Sequence, residues 1–145
     1  MKGEISVKKI ISLVLLLCLS AFVVGVFTVH GDVSDKDKCL KFLTDYGWET
    51  DGDVTDLADI TVPQTFDLVY ESYNAMQLKS GLDLLPYRGK SGKRYTFIVT
   101  NYPVEVGETV YANVIVIDGK PVGGDIMTVS LSGFMHGLGE NNVIN

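Results

Sequence analysis

Residues Ile10 to Val29 run for 20 positions without a charge. A helix of that length reaches roughly 30 Å, the depth of a bilayer core, and this one is apolar on every side. The stretch therefore predicts a membrane-spanning helix over about residues 10–29. Lys2, Lys8 and Lys9 precede it, and Asp32 and Asp35 follow. That asymmetry holds the tip in the cytoplasm and sends the rest of the chain outside, although Lys36, Lys38 and Lys41 weaken it. The expected organisation is a cytoplasmic tip and signal-anchor helix over 1–31, then an extracytoplasmic domain over 32–145. Secretion after signal cleavage is the alternative, but Val29-His30-Gly31 is a poor cleavage site and the apolar run is long for a signal core. A lipoprotein would carry a small residue before Cys18, where Leu17 stands. Cys18 reads as a small apolar residue within the span.

From Asp32 onward the chain holds 9 Lys or Arg against 17 Asp or Glu. Such an acid excess argues against a nucleic-acid partner, whose phosphates need cations. Hydrophobic residues make up 46% and charged ones 21% of the 145 residues, a globular balance. Two cysteines, far apart, exclude a disulfide scaffold and a cysteine-ligated zinc site, and no cofactor is predicted. Cys39 is expected on the buried face of a helix.

Ser34 and Asp37 mark a helix start, and Cys39, Leu40, Phe42, Leu43 and Tyr46 recur at 3–4 spacing before Gly47 stops it. Trp48 to Thr50 and Ile60 to Val62 read as short strands. Pro63 opens a second helix over about Thr65 to Lys79, with Phe66, Val69, Tyr70, Tyr73 and Met76 inward. Beyond it the period falls to two. Tyr95, Phe97 and Val99 alternate with polar residues, Thr109 to Ile117 reads as a central strand, and Asp118-Gly119 as a tight hairpin turn. The third strand is expected over Lys120 to Leu131, with Gly123-Gly124 marking a bulge or close approach. The fold class is thus α+β: two helices packed on a small antiparallel β-meander of three or more strands. Phe66, Val69, Tyr73, Phe97, Val99, Val114 and Val116 are expected in one core.

The segments DYGW (Asp45 to Trp48), ITVPQTFDLVYESYNAMQ (Ile60 to Gln77) and GLDLLPYRGK (Gly81 to Lys90) resemble domain of unknown function 4830. So do KRYTFIVTNYP (Lys93 to Pro103), YANVIVIDGKPVGGDI (Tyr111 to Ile126) and SGFMHGL (Ser132 to Leu138). Together they cover nearly all of residues 36–140. The resemblance implies an exported or membrane-tethered domain of Gram-positive anaerobes, clostridia especially, with no assigned activity. It carries over no catalytic residue.

Several motifs bear on chemistry. Glu49, Asp51, Asp53, Asp56 and Asp59 suggest calcium, but a helix–loop–helix site starting at Asp51 needs glycine where Asp56 stands and glutamate where Val62 stands. A solvated acidic loop is expected instead, and no metal site is predicted. Gly89-Lys90-Ser91 fails as a phosphate loop, because Leu84 replaces the required glycine and a strand follows. Arg88, Lys90, Lys93 and Arg94 gather four cations in seven residues of an acidic domain, flanked by Tyr87 and Tyr95. These six are the candidate ligand-binding residues, with Gly123, Gly124 and Asp125 as a rim, for an anionic wall ligand or an envelope protein. The leading expectation is a noncatalytic binding module. A small hydrolase using His136 with Asp125, near Ser132, is the second, although no nucleophile elbow is present. The third is an assembly subunit that pairs with another membrane protein through an exposed apolar patch.

Overall fold

The computed structural model describes residues 33–103 and 106–140. The predicted membrane span, and whether it is cleaved, lie outside the described residues. Among those described, no helix is long and apolar enough to cross a membrane.

The first helix, α1 (Asp35–Asp45), begins as its sequence dictates. The Ser34 hydroxyl oxygen accepts the Asp37 backbone N–H at 3.2 Å, and Asp35 and Asp37 occupy the first turn, where the helix dipole favours anions. Gly47, at φ 87°, carries the chain out of the helix. Cys39 and Leu43 are wholly buried, with Leu40, Phe42 and Tyr46 packed alongside. Burial pushes the Cys39 thiol up to about 12, so it stays protonated and behaves as a small apolar side chain.

Five antiparallel strands follow one another across a single sheet: β1 (Asp56–Thr61), β2 (Ser91–Ile98), β3 (Tyr111–Ile117), β4 (Lys120–Met127) and β5 (Met135–Gly137). The α+β architecture is therefore the expected one, with two strands beyond the three that alternation made visible. Central β3 is covered on both faces. The β3–β4 turn places Asp118 at φ 51° and Gly119 at φ 68°, the left-handed pair that matches strand twist. Between Ile115 and Val116 the pairing shifts, leaving Val122 as an extra residue in β4. Trp48 to Thr50 contributes only one bridge, Thr50 to Val99. In place of the short strand expected over Ile60 to Val62, β1 begins at Asp56, because the acids that disguised it are neutralised from β2. Asp59 meets Lys93 at 2.9 Å and Asp56 meets Arg94 at 3.0 Å. Likewise β4 ends at Met127, short of Leu131; the Thr128 hydroxyl oxygen accepts the Phe134 N–H and turns the chain toward β5.

The second helix, α2 (Leu68–Lys79), starts three residues later than the apolar spacing suggested. Asp67 caps it, its carboxylate accepting the Tyr70 N–H at 2.8 Å. The inward face also differs from expectation. Val69 is 77% exposed, whereas Asn74 and Gln77 are buried. Gln77 explains itself by its bonds: its side-chain Nε2 donates to the Gly124 carbonyl at 2.9 Å, and its Oε1 accepts the Gly124 N–H at 2.9 Å. The amide thus stands in for a neighbouring strand where short β5 has not yet begun beside β4. Gly124 is needed there, since a Cβ would lie 2.5 Å from the Asn113 carbonyl oxygen and 2.8 Å from a Leu138 methyl. Asn74 similarly accepts the Leu84 N–H and donates to Asp83.

The expectation of a single core is overturned, because alternate strand residues face opposite sides. Phe97, Val99, Val114, Val116 and Ile126 pack with Cys39 and Leu43 beneath α1. Val62, Leu84, Ile115, Ile117 and Val122 form a second cluster under α2, with Phe66, Tyr70 and Tyr73 at its margin.

Candidate binding groove

On the α2 side, the helix covers only part of the sheet. Beside it three adjacent strands each contribute one buried polar residue, set in line by register: Thr96 opposite Asn113, and Asn113 opposite Asp125. The Thr96 hydroxyl donates to Asn113 Oδ1 at 2.7 Å, and Asn113 Nδ2 donates to Asp125 Oδ1 at 2.8 Å. From α2, the Tyr73 hydroxyl donates to Asp125 Oδ2 at 2.7 Å. Asp125 is 3% exposed. Burial drives its carboxyl above the ordinary carboxylate range, while the bonds from Asn113 and Tyr73 and the charge of Arg94 pull the other way. Burial, reinforced by Asp125, also raises the Tyr73 phenol, which therefore remains a hydrogen-bond donor.

Arg94 lies beside this chain. Its Nη2 holds Asp56 at 3.0 Å, while its Nε is shut off from solvent without an acceptor among the described residues. Two clefts share Arg94, Asn113 and Met127 in their walls. The first, about 270 Å³, continues along Thr55, Asp56, Tyr111 and Val129. The second, about 410 Å³, continues along Ile60, Tyr70, Tyr73, Asp125 and Met135. Apolar walls with a few convergent polar groups are the usual make-up of a ligand site.

The six binding candidates read from the sequence do not form one basic surface. Strand alternation sends Arg94 into the groove and Lys93 and Tyr95 to the α1 side, with Tyr95 against that core. Lys93 pairs with Asp59, and Lys90 with Asp118 at 2.9 Å. Tyr87 packs against the α2-side cluster, 6.0 Å from the Lys90 ammonium, and the Arg88 guanidinium returns to the Leu85 carbonyl. Of the proposed rim, Asp125 lines the groove, while Gly123 is buried against Leu84 and Gln77 beneath α2, and Gly124 faces Leu138 of the α1-side core with its backbone bonded to Gln77. Nothing in the linear sequence marked Thr96, one of several polar residues alternating along β2, or Asn113, a lone polar residue in apolar β3.

Asp125 and His136 are not brought together. His136 pairs with Ile126 and so shares its face, the α1 side, while Asp125 faces α2. The His136 ring lies 5.6 Å from Phe134 and 5.9 Å from Trp48, with Nε2 3.1 Å from the Tyr102 hydroxyl and Nδ1 2.9 Å from the Gly137 carbonyl. Ser132 is exposed in the loop before β5. The acidic run is spent on local partners: Asp51 accepts the Asp53 N–H, and Asp53, Asp56 and Asp59 pair with Lys36, Arg94 and Lys93. Among the described residues no group of three metal-ligating side chains converges.

A family model described as Domain of unknown function (DUF4830) matches residues 42–126, more than half of the chain. Comparison with the curated proteins and with the solved structures gave no match.

Proposed function

The chain belongs to the DUF4830 family, and from that premise we propose that it is a noncatalytic binding module, displayed at the cell envelope by its amino-terminal helix. The groove on the α2 side of the sheet is the recognition surface. One observation carries this reading: Arg94, partly exposed, stands with the buried chain Thr96, Asn113 and Asp125 in the walls of two concave, partly apolar clefts beside α2. A domain that needed only a second core could have filled these strand positions with aliphatic side chains, as the α1 side does. The chain itself is fully paired, and the buried Arg94 Nε beside it is left without an acceptor among the described residues, which supports a ligand at that point. The envelope placement is supported by the uncharged run Ile10 to Val29 and the lysines before it.

The test is site-specific photocrosslinking in intact cells, with the full chain carrying benzoylphenylalanine at one exposed position. Val129 lies on the groove wall and Leu78 on α2; they are 73% and 54% exposed. A crosslinked envelope component from position 129 and not from 78 is expected. Equal labelling from both, or none from 129, defeats the groove as recognition surface. Protease added to intact cells should degrade the domain; protection until lysis would remove the envelope placement.

A further inference from the structure

We propose that the groove takes an uncharged glycan, a polymer of neutral hydroxyl- and amide-bearing sugar rings; this rests on the groove being the binding surface. Charge balance narrows the ligand first. The ionisable groups along the groove are Arg94, Asp56 and Asp125, the first two already paired and the third buried with both oxygens engaged. An anion entering here meets the Asp56 carboxylate in a domain where acids outnumber bases 17 to 9, and a cation meets Arg94. A neutral ligand meets neither penalty.

The polar atoms left over then select among neutral ligands. Arg94 commits only Nη2 of its three nitrogens, and neither Asp56 Oδ1 nor the Tyr111 hydroxyl holds a partner among the described residues. A purely apolar ligand would bury these groups unpaired. The Arg94–Asp56 pair offers a donor and an acceptor side by side, held in place by each other. Vicinal hydroxyls present that same alternation, since each hydroxyl both donates and accepts. Met127 and Val129 supply an apolar strip beside the pair, suited to the C–H face of a sugar ring. Two neighbouring clefts that share Arg94, Asn113 and Met127 offer places for more than one ring of a chain.

The experiment titrates the isotope-labelled full chain, in neutral detergent micelles, with three probes followed by NMR. They are a tetramer of N-acetylglucosamine, an oligomer of galacturonic acid and a capped tetra-alanine. The expected result is shifts at the Asn113 side-chain amide and the Thr96 N–H with the neutral sugar alone, while Leu43 on the far side stays still. Arg94→Met should weaken that binding about tenfold, and Arg88→Met, outside the groove, should leave it unchanged. If Arg94→Met loses its dispersed spectrum, Asp56→Asn tests the same pair and should weaken binding severalfold. Shifts with the acidic oligomer or the peptide, and none with the neutral sugar, overturn the glycan assignment while the groove stands as a binding surface. No shift with any probe also overturns it, and crosslinking at Val129 then decides separately whether the groove binds anything.

Discussion

On the α1 side of the sheet, Phe97, Val114 and Ile126 are shut from solvent among Cys39, Leu43 and Leu138. One residue along each of those strands, on the α2 side, stand Thr96, Asn113 and Asp125. The first arrangement gains stability from area removed from water, is non-directional and tolerates conservative exchange. The second gains little net free energy, since each bond replaces one to water, yet loses much when a partner is removed. A face built the first way serves folding; a face built the second way specifies geometry. The contrast can be broken by mutations on either side, read as shifts in the denaturant midpoint of the full chain in micelles.

The largest effect is expected on the apolar side. Leu43→Ala removes a side chain that is 0% exposed between α1 and the sheet and should cost about 2–5 kcal/mol, through lost transfer energy and the cavity left behind. A cost under about 1 kcal/mol would mean that α1 is only loosely held, and the two sides would not differ as described.

Gln77 comes next and is the sharper test of the α2 side. Gln77→Ala leaves the Gly124 N–H and C=O without the amide that satisfies both. At about 1–3 kcal/mol for each buried polar group stranded, the loss should be about 2–4 kcal/mol, far more than the aliphatic part of the side chain explains. Restoration by Gln77→Met would show that filling space suffices, and would defeat the account of the glutamine as a substitute strand.

Asp125 distinguishes the two sides by pH. Its folded carboxyl sits above the ordinary value of 3.8, so the native state holds a proton that the unfolded chain has released. The stabilisation from that proton is complete below about 3.8 and is lost as pH rises from there through the folded value, by at most about 1.4 kcal/mol per pH unit. Other carboxyls, such as Glu140, which the Gly137 N–H holds below its ordinary range, push in the opposite direction. The informative quantity is therefore the difference between the native chain and Asp125→Asn. Above the ordinary carboxylate range the native chain should lose ground to the variant as pH rises. Parallel curves would mean that Asp125 is not desolvated.

How far these features could be read from the sequence follows from the same contrast. α1 was legible because its face repeats at helical spacing between a serine cap and a stop glycine, and the β3–β4 hairpin because Asp118-Gly119 can adopt little else. β1 was hidden because Asp56 and Asp59 look like loop residues until Arg94 and Lys93 arrive across the strand pair. The groove was harder still. Arg94 stood out only as part of a linear basic run that strand alternation divides between two faces. Asn113 faces Asp125 only because Val122 is bulged out; in an unbroken hairpin Asn113 would face Gly124. A one-residue irregularity decides the alignment, and nothing local in the sequence announces it.

The smallest expected effect probes the place where periodicity misled. Helical spacing put Val69 in the core, yet it is 77% exposed, because Asp67 caps the helix and Asn74 and Gln77 turn inward instead. Val69→Ser should change stability by no more than about 0.5 kcal/mol, as exposed substitutions do. The β-branched residue has no packing there to lose, and serine at this position removes apolar surface from solvent contact without touching the cap bond at Tyr70. A loss above about 1.5 kcal/mol would place Val69 against a surface that covers it in the assembled protein. The α2 side would then owe part of its stability to a partner rather than to its own polar chain.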